Sequence, residues 1–407
     1  MNPARNAPCS CGSGKKYKHC CLGKIELRPD APSSVEFNQL FALSSAARHV
    51  ELENQARALI DRYPTAGMAW KMLGESLYMQ GKDALPALRK AAKLLPQDAD
   101  AFNNLAVALT DLGQFHEAVE CCHRALKIKP DDARAHNNLG IALFEMGSID
   151  EAVTCYQRAL RIKPDYFKAL NNLGGALENL GQFNDAAVSY RRALAIKPEY
   201  VQGHYNLGYC LLAMGQFSTG WQEQEYRLKR SEFQYLSLAT RLPQWRGQQP
   251  SPSDRLLVLE EQGMGDKLQF VRYLTLAAER FTGGVSLVIG RPLRELFRRS
   301  YPQIEILETM PVDQHAWQWQ CPLLSLPLAF DTTETTIPRQ TPYLITNPAR
   351  VAYWKNRIAA LQIPTTTRKI GVVWKSGTGM KIAQQKSVPI QRIARLLDQP
   401  GCAWFSL

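Results

Sequence analysis

Residues 131–164, DDARAHNNLGIALFEMGSIDEAVTCYQRALRIKP, carry the pattern on which the fold turns. Asn138-Leu139-Gly140 within this stretch returns upstream as Asn104-Leu105-Ala106 and downstream as Asn172-Leu173-Gly174 and Asn206-Leu207-Gly208, at intervals of 34 residues. Gly113, Gly147, Gly181 and Gly215 recur with the same period, where a first helix must end in a left-handed turn. Ala118, Ala152 and Ala186 are small enough for close helix approach, and Pro130, Pro164 and Pro198 stop each second helix.

A helix-turn-helix unit with this period is the tetratricopeptide repeat. The expectation is a solenoid over residues 35–232, with its best units between 99 and 200. An earlier unit reads Trp70, Leu73, Gly74, Leu77, Gly81 and Pro96 and is two residues short between Gly81 and Pro96. A degenerate helical pair from Val35 to Pro64 caps the stack, and the unit from Gly208 to Arg230 loses register at Gly220-Trp221. Stacked pairs curve so that first helices line the concave wall, which puts Asn104, Asn138, Asn172 and Asn206 in a row there. An amide offers a donor and an acceptor, enough to bind an extended peptide backbone of any sequence; alternatively the row solvates the wall. Protein O-linked N-acetylglucosamine transferases, which the repeats resemble, hold acceptor peptide on such an asparagine ladder. The expected partner is therefore a protein or peptide on the concave face. Cys121, Cys122, Cys155 and Cys210 read as packing residues, and Asp98-Ala99-Asp100 as a helix-capping turn rather than a metal motif.

Residues 1–24 are of another kind. Cys9, Cys11, Cys20 and Cys21 lie among small and polar residues that cannot build a core. Four thiolates suit a closed tetrahedral structural zinc site, with Gly12 and Gly14 letting the chain turn between the ligand pairs; the alternative is a disulfide or unligated thiols. The spacing resembles the SEC-C motif, known at the carboxyl end of the bacterial preprotein translocation ATPase, where it contacts a protein partner. Cys21 stands where that family often has His.

Beyond Pro243-Gln244-Trp245 the helical period gives way to alternating strand and helix. Leu256 to Glu260 and Val285 to Ile289 read as strands, Lys267 to Arg280 and Pro292 to Tyr301 as helices, and Ile304 to Leu307 as a further strand, giving a doubly wound sheet. The third glycine of a dinucleotide fingerprint is absent, Leu268 taking its place. Glu261-Gln262-Gly263-Met264-Gly265-Asp266, Leu268 to Tyr273, and Cys321 to Phe330 resemble the glycosyltransferase-type domain related to heptosyltransferases that follows tetratricopeptide repeats in many bacterial proteins. The resemblance implies a GT-B architecture of two Rossmann-like halves, the first over residues 243–345 and the second over 346–407 with a linker helix from Pro348 to Ile363. It implies a nucleotide-sugar donor, and it makes Asp266 the base that takes a proton from an acceptor hydroxyl; Asp266 also reads as a cap on the helix that follows. Ser376 and Gly377 offer backbone N–H groups suited to a phosphate, with Lys386 as a positive partner; the segment reads equally as a plain loop.

The fold expected is thus multidomain: a zinc motif, an α-helical solenoid and an incomplete α/β domain, since the second half stops at Leu407 after two strands. Two functions follow. One is sugar transfer to a protein or glycan acceptor held by the repeats, given a full second half, with this chain alone expected to be inactive. The other is a non-catalytic zinc-bearing interaction scaffold with a vestigial transferase domain. The formal charge of +12 is spread along helices that also carry Glu and Asp, with no nucleic-acid motif beside it, so nucleic acid is not the expected partner. No segment reads as a signal peptide or membrane span, and the expected location is the cytoplasm.

Overall fold

The computed structural model describes Lys16 and residues 31–261, 263–364, 366–372 and 402–406. They belong to two compact units, one reaching Gln234 and including Thr332–Thr335, the other formed by Tyr235–Asp331 and Thr336–Leu407.

Six helical pairs make the first unit: α1 (Ser34–Ser45) with α2 (His49–Arg62), α3 (Gly67–Met79) with α4 (Leu85–Leu94), α5 (Ala99–Asp111) with α6 (Phe115–Ile128), α7 (Ala133–Glu145) with α8 (Ile149–Ile162), α9 (Phe167–Asn179) with α10 (Phe183–Ile196), and α11 (Val201–Ala213) with α12 (Phe217–Gln224). The repeat glycines do what their period requires. Gly81, Gly113, Gly147, Gly181 and Gly215 all have φ between 68° and 85°. A second class works by its missing side chain: a Cβ on Gly140 would lie 2.6 Å from the Tyr156 ring, and one on Gly174 equally close to that of Tyr190. Second-helix tyrosines, 2% and 1% exposed, thus pack directly on first-helix backbone. Asp98 and Asp132 accept hydrogen bonds from N–H groups of the turns they begin, which makes Asp98-Ala99-Asp100 a cap. The loss of register at Gly220-Trp221 appears as an eight-residue α12 that tightens into a 3₁₀ turn over Glu225–Lys229.

The second unit opens with α13 (Gln234–Ala239), which spans the division. Its sheet comprises β1 (Leu256–Leu259), β2 (Val285–Val288), β3 (Glu305–Leu307) and β4 (Trp319–Pro322), all parallel, in the order β3-β2-β1-β4. Every residue of β1 and β2 is buried, as parallel strands covered on both faces must be. The single helix expected from Lys267 to Arg280 is instead two, α14 (Met264–Phe270) and α15 (Tyr273–Arg280). The chain tightens between them, where Leu274 N–H bonds to the Val271 carbonyl three residues back. α16 (Arg291–Ser300) joins β2 to β3, and a four-residue α17 (Leu326–Ala329) follows β4. Trp245, 1% exposed, seals one end of this core with its ring edge-on to Phe281 and Phe330. Further along, α18 (Pro348–Ala359) precedes β5 (Arg368–Val372), which pairs in parallel with β6 (Cys402–Ser406) as a separate two-stranded sheet.

Candidate functional site

The first helices of successive repeats meet through two rows of asparagine, not one. Asn138 Nδ2 donates to Asn103 Oδ1 at 2.7 Å, Asn172 Nδ2 to Asn137 Oδ1 at 3.0 Å, and Asn206 Nδ2 to Asn171 Oδ1 at 3.0 Å. The accepting residues Asn103, Asn137 and Asn171 are 3–6% exposed, whereas the donors are half-buried at the wall. Each donor therefore spends one N–H on its neighbouring repeat. Sequence reasoning found the outer row and missed the inner one, although the doubled Asn-Asn was its visible signal. In the first full unit the inner position holds Lys71, 7% exposed, whose ammonium lies 2.5 Å from the Asp98 carboxylate.

What remains available differs along the row. Asn138 Oδ1 already accepts from Asn137, and Asn206 Oδ1 from Gln202. Among the described residues Asn104 makes no hydrogen bond through its side chain, and Asn172 keeps its carbonyl oxygen and one N–H. Asn104 also lines a groove of about 600 Å³ to which α1, α3, α5, α7 and α9 all contribute. Phe41, Met72, Met79 and Val107 make part of it apolar, and the exposed ammonium of Lys168 stands on its wall. Ser44 donates to Glu75 there at 2.6 Å, and Tyr78 to Asp111 at the same distance. Burial, then the bond to Asp111, pushes the Tyr78 phenol up to about 12, so it is a neutral donor.

The repeat cysteines are packing residues. Cys122 and Cys210 are fully buried and Cys121 nearly so. Burial pushes the Cys121 thiol to about 11 and that of Cys122 to about 12, away from the thiolate a ligand or nucleophile needs.

In the second unit Asp266 sits in the first turn of α14, beyond the carboxyl end of β1, and its Oδ2 accepts from Gly263 N–H at 3.3 Å. This is a capping contact. Two further carboxylates, not singled out from sequence, organise the same place. Glu260 accepts from Lys267 Nζ at 2.5 Å and from Gly290 N–H at 2.9 Å, tying the loop after β1 to the turn after β2. Glu261, 1% exposed, accepts from Leu324 N–H at 2.8 Å and so holds the segment after β4. Cys9, Cys11, Cys20 and Cys21, and Ser376, Gly377 and Lys386, lie outside the described residues. Among the described residues no helix is long and apolar enough to cross a membrane.

Comparison with known proteins bears on the repeats and on the leading segment. The tetratricopeptide-repeat model matches residues 97–165 and 131–199, and the SEC-C motif matches residues 5–23. The chain is similar to protein FlbA of Caulobacter vibrioides, at 30% identity over 210 residues, 46% of this chain and 34% of FlbA. Nineteen residues, 5% of the chain, are 90% identical to part of the protein translocase subunit SecA of a Nitratiruptor species, covering 2% of it. The chain thus spans about a third of FlbA and a small fraction of SecA. Among solved structures, the Cut9–Hcn1 hetero-tetramer of the APC/C matches at TM-score 0.46 and 18% identity, over 53% of this chain and 43% of that one. PilW, a type IV pilus biogenesis factor, matches at 0.45 and 18%, over 50% and 97%. The chain carries tetratricopeptide repeats, a scaffold for interaction with other proteins, together with a SEC-C motif.

Proposed function

We propose that the repeats hold an extended peptide along the first helices, its backbone hydrogen-bonded to the outer asparagine row and one apolar side chain lodged in the groove beside Asn104. The observation that carries this reading is the convergence of five first helices on a groove that combines the unspent amide of Asn104 with apolar side chains. Hydrogen bonds to backbone give affinity for many sequences, and the apolar side chains select among them. Filling the groove with Val107→Arg is expected to abolish capture of peptides from an unbiased peptide array while leaving helical content unchanged. Retained capture would move the ligand elsewhere.

A second reading adds sugar transfer from a nucleotide-sugar to that bound polypeptide or to a glycan. It is supported by the strand order of the second unit, which reverses between β1 and β4, the place where α/β sheets bind ligands, and by Asp266 beyond the end of β1. In this reading Asp266 takes the acceptor proton, and its Gly263 contact holds it in place beforehand. Ser376, Gly377 and Lys386 would hold the diphosphate. In a version of the protein carrying a full second half, labelled transfer from a panel of nucleotide-sugars, lost in Asp266→Asn, is the expected result, with residues 1–407 alone inactive. Transfer undiminished by that change would remove Asp266 from the chemistry.

For the amino-terminal cluster, four thiols within thirteen residues fit a structural zinc ion as a donor set. Cys9, Cys11, Cys20 and Cys21 would hold it, and the ion would supply the ordering energy of that segment.

A further inference from the structure

The second helices carry a regularity that peptide binding on the other side of the repeats does not use. Counted back from the repeat prolines, Lys90, Arg124, Arg158 and Arg192 occupy one position in α4, α6, α8 and α10, and Lys93, Lys127 and Arg161 the position three residues on. Residues three apart are neighbours on a helix surface, so each helix contributes one patch to a continuous row. All seven side chains are exposed, on the side opposite the buried Ala118-Cys122-Ala125 stripe of α6 and its counterparts. Two of them have partners: Arg158 lies 3.3 Å from Asp131, and Arg124 stacks on the Phe102 ring. Among the described residues Lys90, Lys93, Lys127, Arg161 and Arg192 make no ion pair. The acidic residues of these helices, Glu117, Glu120, Asp150, Glu151 and Asp185, are gathered in the first two turns.

Cations in a last helical turn have a structural explanation, since they offset the negative end of the macrodipole. That accounts for Lys93, Lys127 and Arg161. It does not account for Arg191 and Arg192, which precede the last turn of α10, nor for a column repeated through four helices.

We infer that this ridge is a second docking surface, for an acidic, extended polypeptide segment. Charge selects a polyanion, and a net charge of +12 opposes docking of a second copy of the chain. Apart from the imidazoles of His116 and His123 on α6, no exposed ring lies on α4, α6, α8 or α10 to stack with bases, and the helix ends here offer carbonyls rather than the N–H groups that favour phosphate. No continuous apolar stripe accompanies the cations to enter a lipid surface. Carboxylates spaced along a flexible chain match separate, mobile ammonium and guanidinium groups. The surface is independent of the groove on the first helices.

The test uses the full chain and a labelled peptide of alternating Glu and Ser, with single-stranded DNA, duplex DNA and phosphatidylserine vesicles in parallel. The peptide is expected to bind, more weakly as salt rises, and the triple change Arg124→Gln, Arg158→Gln and Arg192→Gln is expected to lower its affinity about tenfold. The matched change Arg299→Gln, Arg350→Gln and Arg357→Gln in the second unit should leave it unaltered. Carbodiimide cross-linking of the unaltered protein to the peptide, read by mass spectrometry, should mark Lys90, Lys93 and Lys127, and does not depend on folding of any variant. Cross-links confined to other lysines, equal affinity in the ridge variant, or tighter binding of DNA or vesicles than of the peptide would overturn the assignment.

Discussion

Asn172 and Asn104 occupy the same place in successive helical pairs and do different work. Asn172 Nδ2 satisfies Asn137 Oδ1, an atom on a residue 3% exposed. Asn172→Ala leaves that carbonyl buried without its donor and is expected to cost about 1–3 kcal/mol in urea unfolding. Asn104 makes no such bond, so Asn104→Ala should change stability by less than about 0.5 kcal/mol. Equal losses in the two variants would show that the inter-repeat bonds contribute nothing. The outer row was legible in the sequence because its period was strict and the Asn-Leu-Gly triplets stood out. The inner row was adjacent and equally periodic, yet its role was hidden. Its bonds join residues 35 apart across two helices, which one helix's face pattern does not display.

The elements written most clearly in the sequence are those that end at special backbone positions. A positive-φ glycine after each first helix and a proline after each second one delimit α5 to α10 with little ambiguity. β4 was not read as a strand: Trp319–Pro322 is four residues long, contains Gln320 and ends in proline, and its strand character comes from pairing with β1. The break between α14 and α15 likewise has no glycine or proline to announce it. At the capping end of the solenoid, Glu53 of α2 draws hydrogen bonds from Lys82 across the turn and from Arg57 on its own helix, at 2.7 and 3.0 Å, and together they hold its carboxyl at about 2. A carboxyl whose pKa is lowered by folding stabilises the folded state above its unfolded value, 4.5, and that stabilisation is lost as pH falls toward 2. Thermal melts of Glu53→Gln should therefore fall below those of the unaltered protein near neutral pH, and the gap should close in strong acid. A gap that stays constant across the range would mean that packing, not charge, is what the substitution removes.

For the whole molecule, two compact units and a cysteine-rich leading segment imply separable stabilities. Purified protein is expected to contain about one zinc per chain. Replacing Cys9 and Cys20 with Ser should remove the metal without lowering the melting temperature of the helical repeats. Undiminished zinc in that double variant would place the ion elsewhere. The central claim is that a polypeptide lies along the first helices and is gripped by the amides that the repeats leave unspent. The direct measurement is calorimetric titration of an array-selected peptide into the unaltered protein and into Asn104→Ala, Asn172→Ala and their combination, with stability measured alongside. The account predicts that Asn104→Ala weakens binding several-fold with stability intact, and that the double variant is weaker still. Peptide affinity unchanged in Asn104→Ala and in the double variant would contradict it.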